Sequence, residues 1–220
     1  EEARRKLSLQ SLRANQVEQL ELENLRLRKL LDLSPRLTAP AKAAQVLYDA
    51  ADPFTRKVVI NKGLMHQLTL GSPVLDELGV IGQVTRVYPA MSEVTLITDR
   101  DHAIPVLNAR TGARGVAFGD TSTHADALEL RYMAANADVA VGDLLTTSGV
   151  DGVYPPGLPV ARVEKVERQV DAVFARIYCV PLAMVSGTTH VLVLDPLSDQ
   201  LPARPAAEAR AASPKGAGLR

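Results

Sequence analysis

The chain has 220 residues, in which 25 Lys and Arg residues balance 25 Asp and Glu residues. The zero net charge excludes a general positive field for nucleic acid or an anionic membrane, and aromatic residues, at 4% and without tryptophan, provide few platforms for stacking bases or sugars. The 46% share of hydrophobic residues is enough for a sizeable core, whereas one cysteine, Cys179, excludes an internal disulfide and a zinc cluster built on cysteines.

Residues 1–33 are predicted to form one helix that pairs with a second helix. This segment has no glycine or proline and is rich in strong helix formers. Its apolar residues alternate at spacings of three and four, which is the pattern of a coiled-coil seam, and an asparagine takes one core position. The alternative is an amphipathic helix that folds onto its own globular domain. The seam, which would carry self-association, consists of Val17, Leu20, Asn24, Leu27 and Leu31.

The start of the chain and the lengths of its apolar stretches bear on whether a membrane helix is present in this sequence. The sequence begins at Glu1 without methionine and already within the helical pattern, so we expect that upstream residues have been removed. No stretch approaches the roughly 18 consecutive apolar residues that a membrane helix needs.

The centre of the chain is predicted to consist of short β-strands. Prolines at positions 35 and 40 end the helix, and from Val46 to Leu194 the pattern changes to alternating or β-branched runs. Glycine, proline, asparagine and aspartate separate these runs, and about ten strands over about 150 residues favour barrels or sandwiches over βαβ units. The candidate strands are 57–61, 80–87, 93–98, 104–108, 113–118, 128–133, 143–147, 160–166, 172–181 and 190–195.

A weak internal repeat favours two related β units. A glycine, an apolar pair, a glycine-containing turn and alternating valines follow Gly71 and again follow Gly142. The predicted fold is therefore mainly β, with an N-terminal coiled-coil helix, two small β-barrel domains and a disordered C-terminal tail rich in proline, alanine, glycine and charge. The expected domains are 1–33 for the helix, 34–109 for the first barrel (with completion by later strands left open), 110–195 for the second barrel and 196–220 for the tail.

No set of residues in the sequence predicts catalysis. Two β-barrels are also the architecture of trypsin-like serine proteases, so that class has to be considered. The candidate nucleophile is Ser148, and the candidate base is His66, His102, His124 or His190. The Ser148 segment lacks the Gly-Asp-Ser-Gly turn of that class, and His102 lacks the usual small residues before the base. The histidines do not have metal-binding spacing, and no phosphate-binding or dinucleotide motif occurs. We therefore expect no enzymatic activity, no cofactor and no metal.

A run of glycine, serine and proline after residue 142 is predicted to shape a surface. Gly149 and Gly152 flank a turn that would need positive φ, and Pro159 can occupy only a strand start or an edge. Residues of this kind fix rigid connections and do no acid–base work. The motif comprises Gly142, Asp143, Ser148, Gly149, Pro156, Gly157 and Pro159.

Three segments after the leucine-rich helix resemble the periplasmic region of the rod shape-determining protein MreC family. The first, at 52–106, contains the family's Asn-x-Gly and Gly-x-x-Val rhythm, and the second, at 109–120, reads ARTGARGVAFGD. The third, at 142–166, is similar to the family's run of Gly-Asp, Thr-Ser-Gly and Pro-x-Gly-x-Pro-Val. A departure occurs at His66-Gln67, where the family commonly has Asp-Gly.

The resemblance implies a single-pass inner-membrane protein whose cytoplasmic start and membrane helix are absent from this sequence, and whose coiled coil and two β-barrels stand in the periplasm. It implies a non-enzymatic scaffold of the cell-elongation machinery that maintains rod shape by organising lateral peptidoglycan synthesis. The implied partners are a second copy, in a dimer or a filament, the elongation-specific class B penicillin-binding transpeptidase, MreD and, indirectly or through the missing N-terminus, MreB. Nucleic acid is not among them.

The alternative from another class is a periplasmic adaptor subunit of an efflux or secretion pump. Adaptors of this class also join helices to β domains, but they normally insert a helical hairpin between two halves of a lipoyl-like module. Here the one predicted helix is N-terminal. A second helix of matching length within 34–195 would favour the pump adaptor.

Overall fold

The computed structural model describes residues 2–33, 40–50, 55–120, 126–134, 136–168 and 174–196, with helix side chains from residue 15 to residue 32. The N-terminal helix α1 spans Glu2–Leu33. Apart from Pro196, the tail predicted to be disordered lies outside the described residues. The strands are β1 (Ala41–Asp49), β2 (Lys57–Ile60), β3 (Pro73–Leu75), β4 (Val80–Val87), β5 (Ser92–Leu96), β6 (Ala103–Asn108), β7 (Arg114–Asp120), β8 (Ala127–Arg131), β9 (Leu144–Thr147), β10 (Pro159–Glu167), β11 (Arg176–Pro181) and β12 (His190–Leu194).

The strands form two closed antiparallel barrels, which confirms the predicted fold class. Barrel 1 has the strand order β1-β12-β3-β4-β5-β2, and barrel 2 has the order β10-β11-β8-β7-β6-β9. Alternating β-branched and aliphatic side chains fill each interior, as a half-buried strand requires. The interior of barrel 1 is lined by Val58, Ile60, Val74, Ile81, Val94, Val191 and Val193, and that of barrel 2 by Ile104, Val106, Leu128, Leu130, Leu145, Val160, Val163 and Ile177.

The barrels exchange strands across the boundary predicted between residues 109 and 110. Strand β6 lies before that boundary but pairs with β7 and β9 of barrel 2. Strand β12 lies near the end of the chain but pairs with β1 and β3 of barrel 1. The division therefore falls between β5 and β6, and the last strand returns to close the first barrel.

Two strands of barrel 1 had no clear sequence signal. Strand β1 begins with alanine and lysine, which have low strand propensity, and β3 has three residues, too few to show alternation. The short 3₁₀ helix Leu64–His66 ends at Gln67, whose φ of 58° is left-handed. Glycine adopts that conformation freely, whereas a residue with a side chain does so at a cost of about 1–2 kcal/mol. The turn at His66-Gln67 therefore adopts a left-handed conformation without a glycine.

A continuous apolar junction joins the two barrels. Leu75, Val80 and Leu194 of barrel 1 belong to the same buried cluster as the interior residues of barrel 2. The backbones approach closely here: a Cβ on Gly79 would lie 2.5 Å from the carbonyl oxygen of Pro159, and a Cβ on Gly119 would overlap the carbonyl oxygens of Thr98 and Asp99. Close packing of this kind transmits strain instead of flexing, so the two barrels form one packed body.

Candidate interaction surfaces

The seam of α1 faces solvent. Val17 is 54% exposed and Leu31 is 71% exposed, and Asn24 between them is also exposed. Among the described helix side chains, at 15–32, Leu30 alone is buried. Folding of the helix onto its own domain therefore accounts for one leucine and leaves the apolar stripe uncovered. Among the described helices, none is both long enough and apolar enough to cross a membrane.

Helix α1 touches barrel 1 through a different side. Leu30 packs against the barrel, the guanidinium of Arg26 lies 3.9 Å from Met184 Sδ, and Glu23 Oε1 lies 3.8 Å from His190 Nδ1. A mainly apolar groove of about 560 Å³ remains between the last turns of the helix and the β1–β12 face. Leu27 and Leu31 line this groove, so the seam opens directly into it.

The predicted turn motif contains the best-connected carboxylate of barrel 2. Asp143 accepts hydrogen bonds from Asn108 Nδ2 at 2.7 Å, from Arg110 Nε at 2.7 Å and from the Ala140 amide at 2.9 Å. Arg110 also binds Asp138 at 2.8 Å. The Arg110 guanidinium holds the pKa of the Asp143 carboxyl well below its ordinary value. In turn, the hydrogen bonds to Asp143 and Asp138 raise the pKa of Arg110. This network ties the β6–β7 turn to the start of β9.

The rest of the motif forms a rigid corner between β9 and β10. Gly149 and Gly157 have φ values of 74° and 87°, and a Cβ on Gly149 would lie 3.1 Å from Pro156 Cβ. Strand β10 begins at Pro159. Thr147, which the sequence reading did not single out, holds the corner: its Oγ1 donates to the Pro155 carbonyl at 2.5 Å and accepts from the Leu158 amide at 2.9 Å.

Ser148 and His102, two of the side chains considered for protease chemistry, have structural partners, and His124 lies outside the described residues. Ser148 Oγ donates to the Pro105 carbonyl at 3.1 Å. His102 Nε2 lies 3.0 Å from the Tyr154 hydroxyl at a buried position, and burial lowers the pKa of His102 to about 4. Burial also raises the pKa of Cys179 to about 12, so its thiol is held protonated. Within the described ranges, no group of three or more histidine, cysteine, aspartate or glutamate residues could hold a metal.

An exposed aromatic patch on barrel 2 was not foreseen from the sequence. It consists of Phe118 on β7, Arg131 and Tyr132 at the end of β8, and Phe174 before β11. The Tyr132 ring lies 6.3 Å from both Phe118 and Phe174 in edge-on arrangements, and Arg131 Cζ sits 4.6 Å from the centre of the Phe118 ring. Tyr132 is 64% exposed and has a φ of 64°, which is unusual for a residue other than glycine.

The aromatic patch depends on contacts that are distant along the chain. Phe118 pairs with Glu129 across β7 and β8, and Ala134 forms an isolated bridge with Phe174. Backbone strain of the kind seen at Tyr132, a left-handed φ in a residue other than glycine, clusters at functional sites, where the surrounding structure maintains it. Tyrosine, phenylalanine and arginine are also enriched at protein interfaces. The patch is therefore suited to bind another protein.

A second exposed apolar patch lies on barrel 1. The Leu64 and Met65 side chains are exposed on the 3₁₀ helix, whose amides donate to the carbonyls of Tyr88 and Pro89 at 3.0 Å. Met91, on the same turn, lies 3.9 Å from the Tyr48 hydroxyl. This patch has flexible side chains and no ring-to-ring contacts among the described residues, which makes it a natural comparison for the aromatic patch.

Comparison with known proteins places this architecture. The family model described as "Rod shape-determining protein MreC, barrel core" matches residues 46–195. The chain is 40% identical over 180 residues to the cell shape-determining protein MreC of Haemophilus influenzae, covering 82% of this chain and 51% of that protein. It is 36% identical to the Escherichia coli K12 protein of the same name, covering 87% of this chain and 52% of that protein. The chain thus spans about half the length of these relatives.

Solved structures agree with the fold. A structure described as MreC superposes with a TM-score of 0.75 at 37% identity, covering 80% of this chain and 99% of that chain. An MreC from Helicobacter pylori, solved in a complex with the penicillin-binding protein PBP2, superposes with a TM-score of 0.57 over 72% of this chain and 99% of that chain. At 16% sequence identity, this superposition shows a shared fold alone. Within the described part of 34–195, no second helix of the length of α1 occurs, so the feature that would favour a pump adaptor is not observed there.

Proposed function

This chain belongs to the MreC family of rod shape-determining proteins, and from that premise we propose that it is a non-enzymatic scaffold of the cell-elongation machinery. In this role it stands in the periplasm, as part of a protein anchored by one helix in the inner membrane, and it organises lateral peptidoglycan synthesis. The observation that carries the proposal is the family match over 46–195, which covers all of barrel 2 and most of barrel 1.

We propose that the barrels bind the elongation-specific class B penicillin-binding transpeptidase. The complex of the Helicobacter pylori MreC with PBP2 supports this choice, because the barrels of the two chains share a fold. A second copy would pair through α1, in a dimer or a filament. MreD, and MreB indirectly, complete the proposed set of partners. Deletion of the gene in the source bacterium should abolish rod shape; retention of rod shape and of transpeptidase recruitment would contradict this role.

The aromatic patch is the proposed contact for the transpeptidase. Rings present a large rigid area at a small entropy cost, and interface hot spots favour tyrosine and arginine. Tyr132 and Phe174 are both more than half exposed, so binding would remove their rings from water. The edge-on contacts between the rings hold them in place before the partner arrives, which reduces the ordering cost of binding.

Replacing both Tyr132 and Phe174 by alanine should therefore weaken transpeptidase binding at least about tenfold. The measurement is biolayer interferometry with the periplasmic part of the transpeptidase immobilised. The matched control replaces both Leu64 and Met65 by alanine. These side chains lie on barrel 1 and, like Tyr132 and Phe174, are more than half exposed, and their loss should leave the affinity for the transpeptidase within about twofold. Equal losses of affinity for the two double variants, or a loss confined to the control, would show that the transpeptidase does not bind at the aromatic patch.

A further inference from the structure

A polar groove on barrel 2 adjoins the aromatic patch. It has a volume of about 530 Å³ and is formed by strands β7, β8 and β11 and by the loop before β6. Guanidinium groups and carboxylates line this arginine groove in equal numbers, so it does not present a general positive field. The charged residues that line it are Arg100, Arg131, Arg176, Asp101, Asp120 and Glu129.

Two of these arginines face each other across neighbouring strands. Strands β8 and β11 pair Leu130 with Ile177, and one step further along the same register Arg131 comes opposite Arg176. Like charges that lie directly opposite each other in a sheet destabilise the pairing of its strands. An anion that binds between or beside the two guanidinium groups therefore relieves a repulsion that the free protein carries.

The arginines of the groove differ in their counter-charges. Arg131 Nε donates to Glu129 Oε2 at 2.6 Å, and Arg100 Nε lies 3.6 Å from Asp101 Oδ1. The side chain of Arg176 is exposed, and among the described residues no carboxylate forms an ion pair with it. Arg176 is therefore the cation of the groove whose donors remain available to a ligand.

We propose that the arginine groove binds an aspartate or glutamate side chain of the transpeptidase, with Arg176 as its main cation; this assignment rests on the transpeptidase binding proposed above. A guanidinium binds a carboxylate through two parallel N–H···O bonds, which fix both the distance and the orientation of the two groups. The donors of Arg176 suit this geometry. The incoming negative charge also offsets the repulsion between Arg176 and Arg131.

Continuity with the aromatic patch favours one protein partner over both surfaces. Arg131 belongs to both, since its Cζ lies 4.6 Å from the centre of the Phe118 ring while its Nε binds Glu129 in the groove. Phe118 and Glu129 are paired across β7 and β8. A protein that lies over the rings therefore also covers the groove, and the exclusion of water there strengthens a carboxylate–guanidinium pair.

The balance of charges in the groove favours a single carboxylate as its ligand. The three carboxylates of the groove repel a densely anionic surface such as a membrane. One of them, Asp120, is only 8% exposed and already has a partner, so it does not compete for the donors of Arg176. One acidic side chain beside an apolar segment of the partner matches both the groove and the rings next to it.

Substitution of Arg176 tests the proposal in the whole chain. Arg176→Glu should weaken binding to the periplasmic part of the transpeptidase about tenfold at low salt, because it sets carboxylate against carboxylate. Arg176→Lys keeps the charge but loses the two-bond geometry, and should weaken binding about threefold. The loss for Arg176→Glu should shrink as the salt concentration rises. Biolayer interferometry measures the dissociation constants.

Arg86→Glu is the matched control, because Arg86 lies on barrel 1 with its side chain 64% exposed and the net charge changes equally. It should leave the affinity within about twofold. Equal losses for Arg176→Glu and Arg86→Glu would overturn the assignment of the groove and leave binding at the aromatic patch standing. Failure of the unmodified chain to bind the transpeptidase would overturn the proposed function as well. If Arg176→Glu abolished binding to phosphatidylglycerol vesicles and left the affinity for the transpeptidase unchanged, the groove would belong to a membrane surface and the proposal would be wrong.

Discussion

Replacement of Asp143 by alanine is expected to lower the free energy of unfolding by about 2–4 kcal/mol. The Asp143 carboxylate is nearly buried and accepts hydrogen bonds from Asn108, Arg110 and Ala140. Alanine would leave the buried Asn108 amide and the Ala140 N–H without this acceptor, and unsatisfied buried groups cost more than the bonds contribute. Urea unfolding near pH 7 measures the change.

The control for this variant is Asp138→Ala. Asp138 binds the same guanidinium at 2.8 Å, but its side chain is 75% exposed, and exposed ion pairs contribute about 0–1 kcal/mol. The folded-state pKa of Asp143 lies below its unfolded value. Its contribution is therefore present above about pH 4 and declines as the solution becomes more acidic. Similar losses for the two variants at neutral pH would contradict the central role given to Asp143.

Gly119→Val is expected to destabilise the junction of the barrels by about 3 kcal/mol or more. Even the first side-chain carbon at this position would overlap the carbonyl oxygens of Thr98 and Asp99. Backbone atoms cannot rotate away as a side chain can, so the loop before β6 and strand β7 would have to move apart. Thermal unfolding should show a lower midpoint, and hydrogen exchange should report faster exchange at the amides that join the barrels.

Gly112→Ala is the comparison for the junction variant. Nothing lies within 4 Å of a Cβ at this position, but φ is 74°. The substitution therefore isolates backbone strain and should cost about 1 kcal/mol. If Gly119→Val is no more damaging than Gly112→Ala, the close approach of the barrels does not contribute to stability as argued.

The strands could be predicted where local chemistry repeats along the chain. The valines and glycine turn around β4 gave the bounds Val80–Val87 that the structure has. The alanine-rich β1 and the three-residue β3 lack that local signal. The sequence allows completion of barrel 1 by later strands, and β12 does return to it. The identity of that strand could not be predicted because its pairing partners lie more than 100 residues away along the chain, and local propensity carries no information about such pairings.

Of the candidate surfaces, one could be predicted from the local sequence and one could not. The seam of α1 follows from the spacing of residues along one helix. The aromatic patch does not, because Phe118, Tyr132 and Phe174 meet through strand register and through the left-handed backbone of Tyr132. The role of Arg110 could not be predicted from the sequence either, because the two carboxylates that hold its guanidinium, Asp138 and Asp143, lie about 30 residues away along the chain.

The central claim is that this chain joins two kinds of partner: a transpeptidase on the barrels and a second copy on the helix. Light scattering after size exclusion, with the whole chain and the periplasmic part of the elongation transpeptidase, measures the mass of the complex. We expect a complex with two copies of each protein, falling to one of each when Leu20 and Leu27 are both replaced by glutamate. Failure of the whole chain to form any complex with the transpeptidase would contradict the scaffold role.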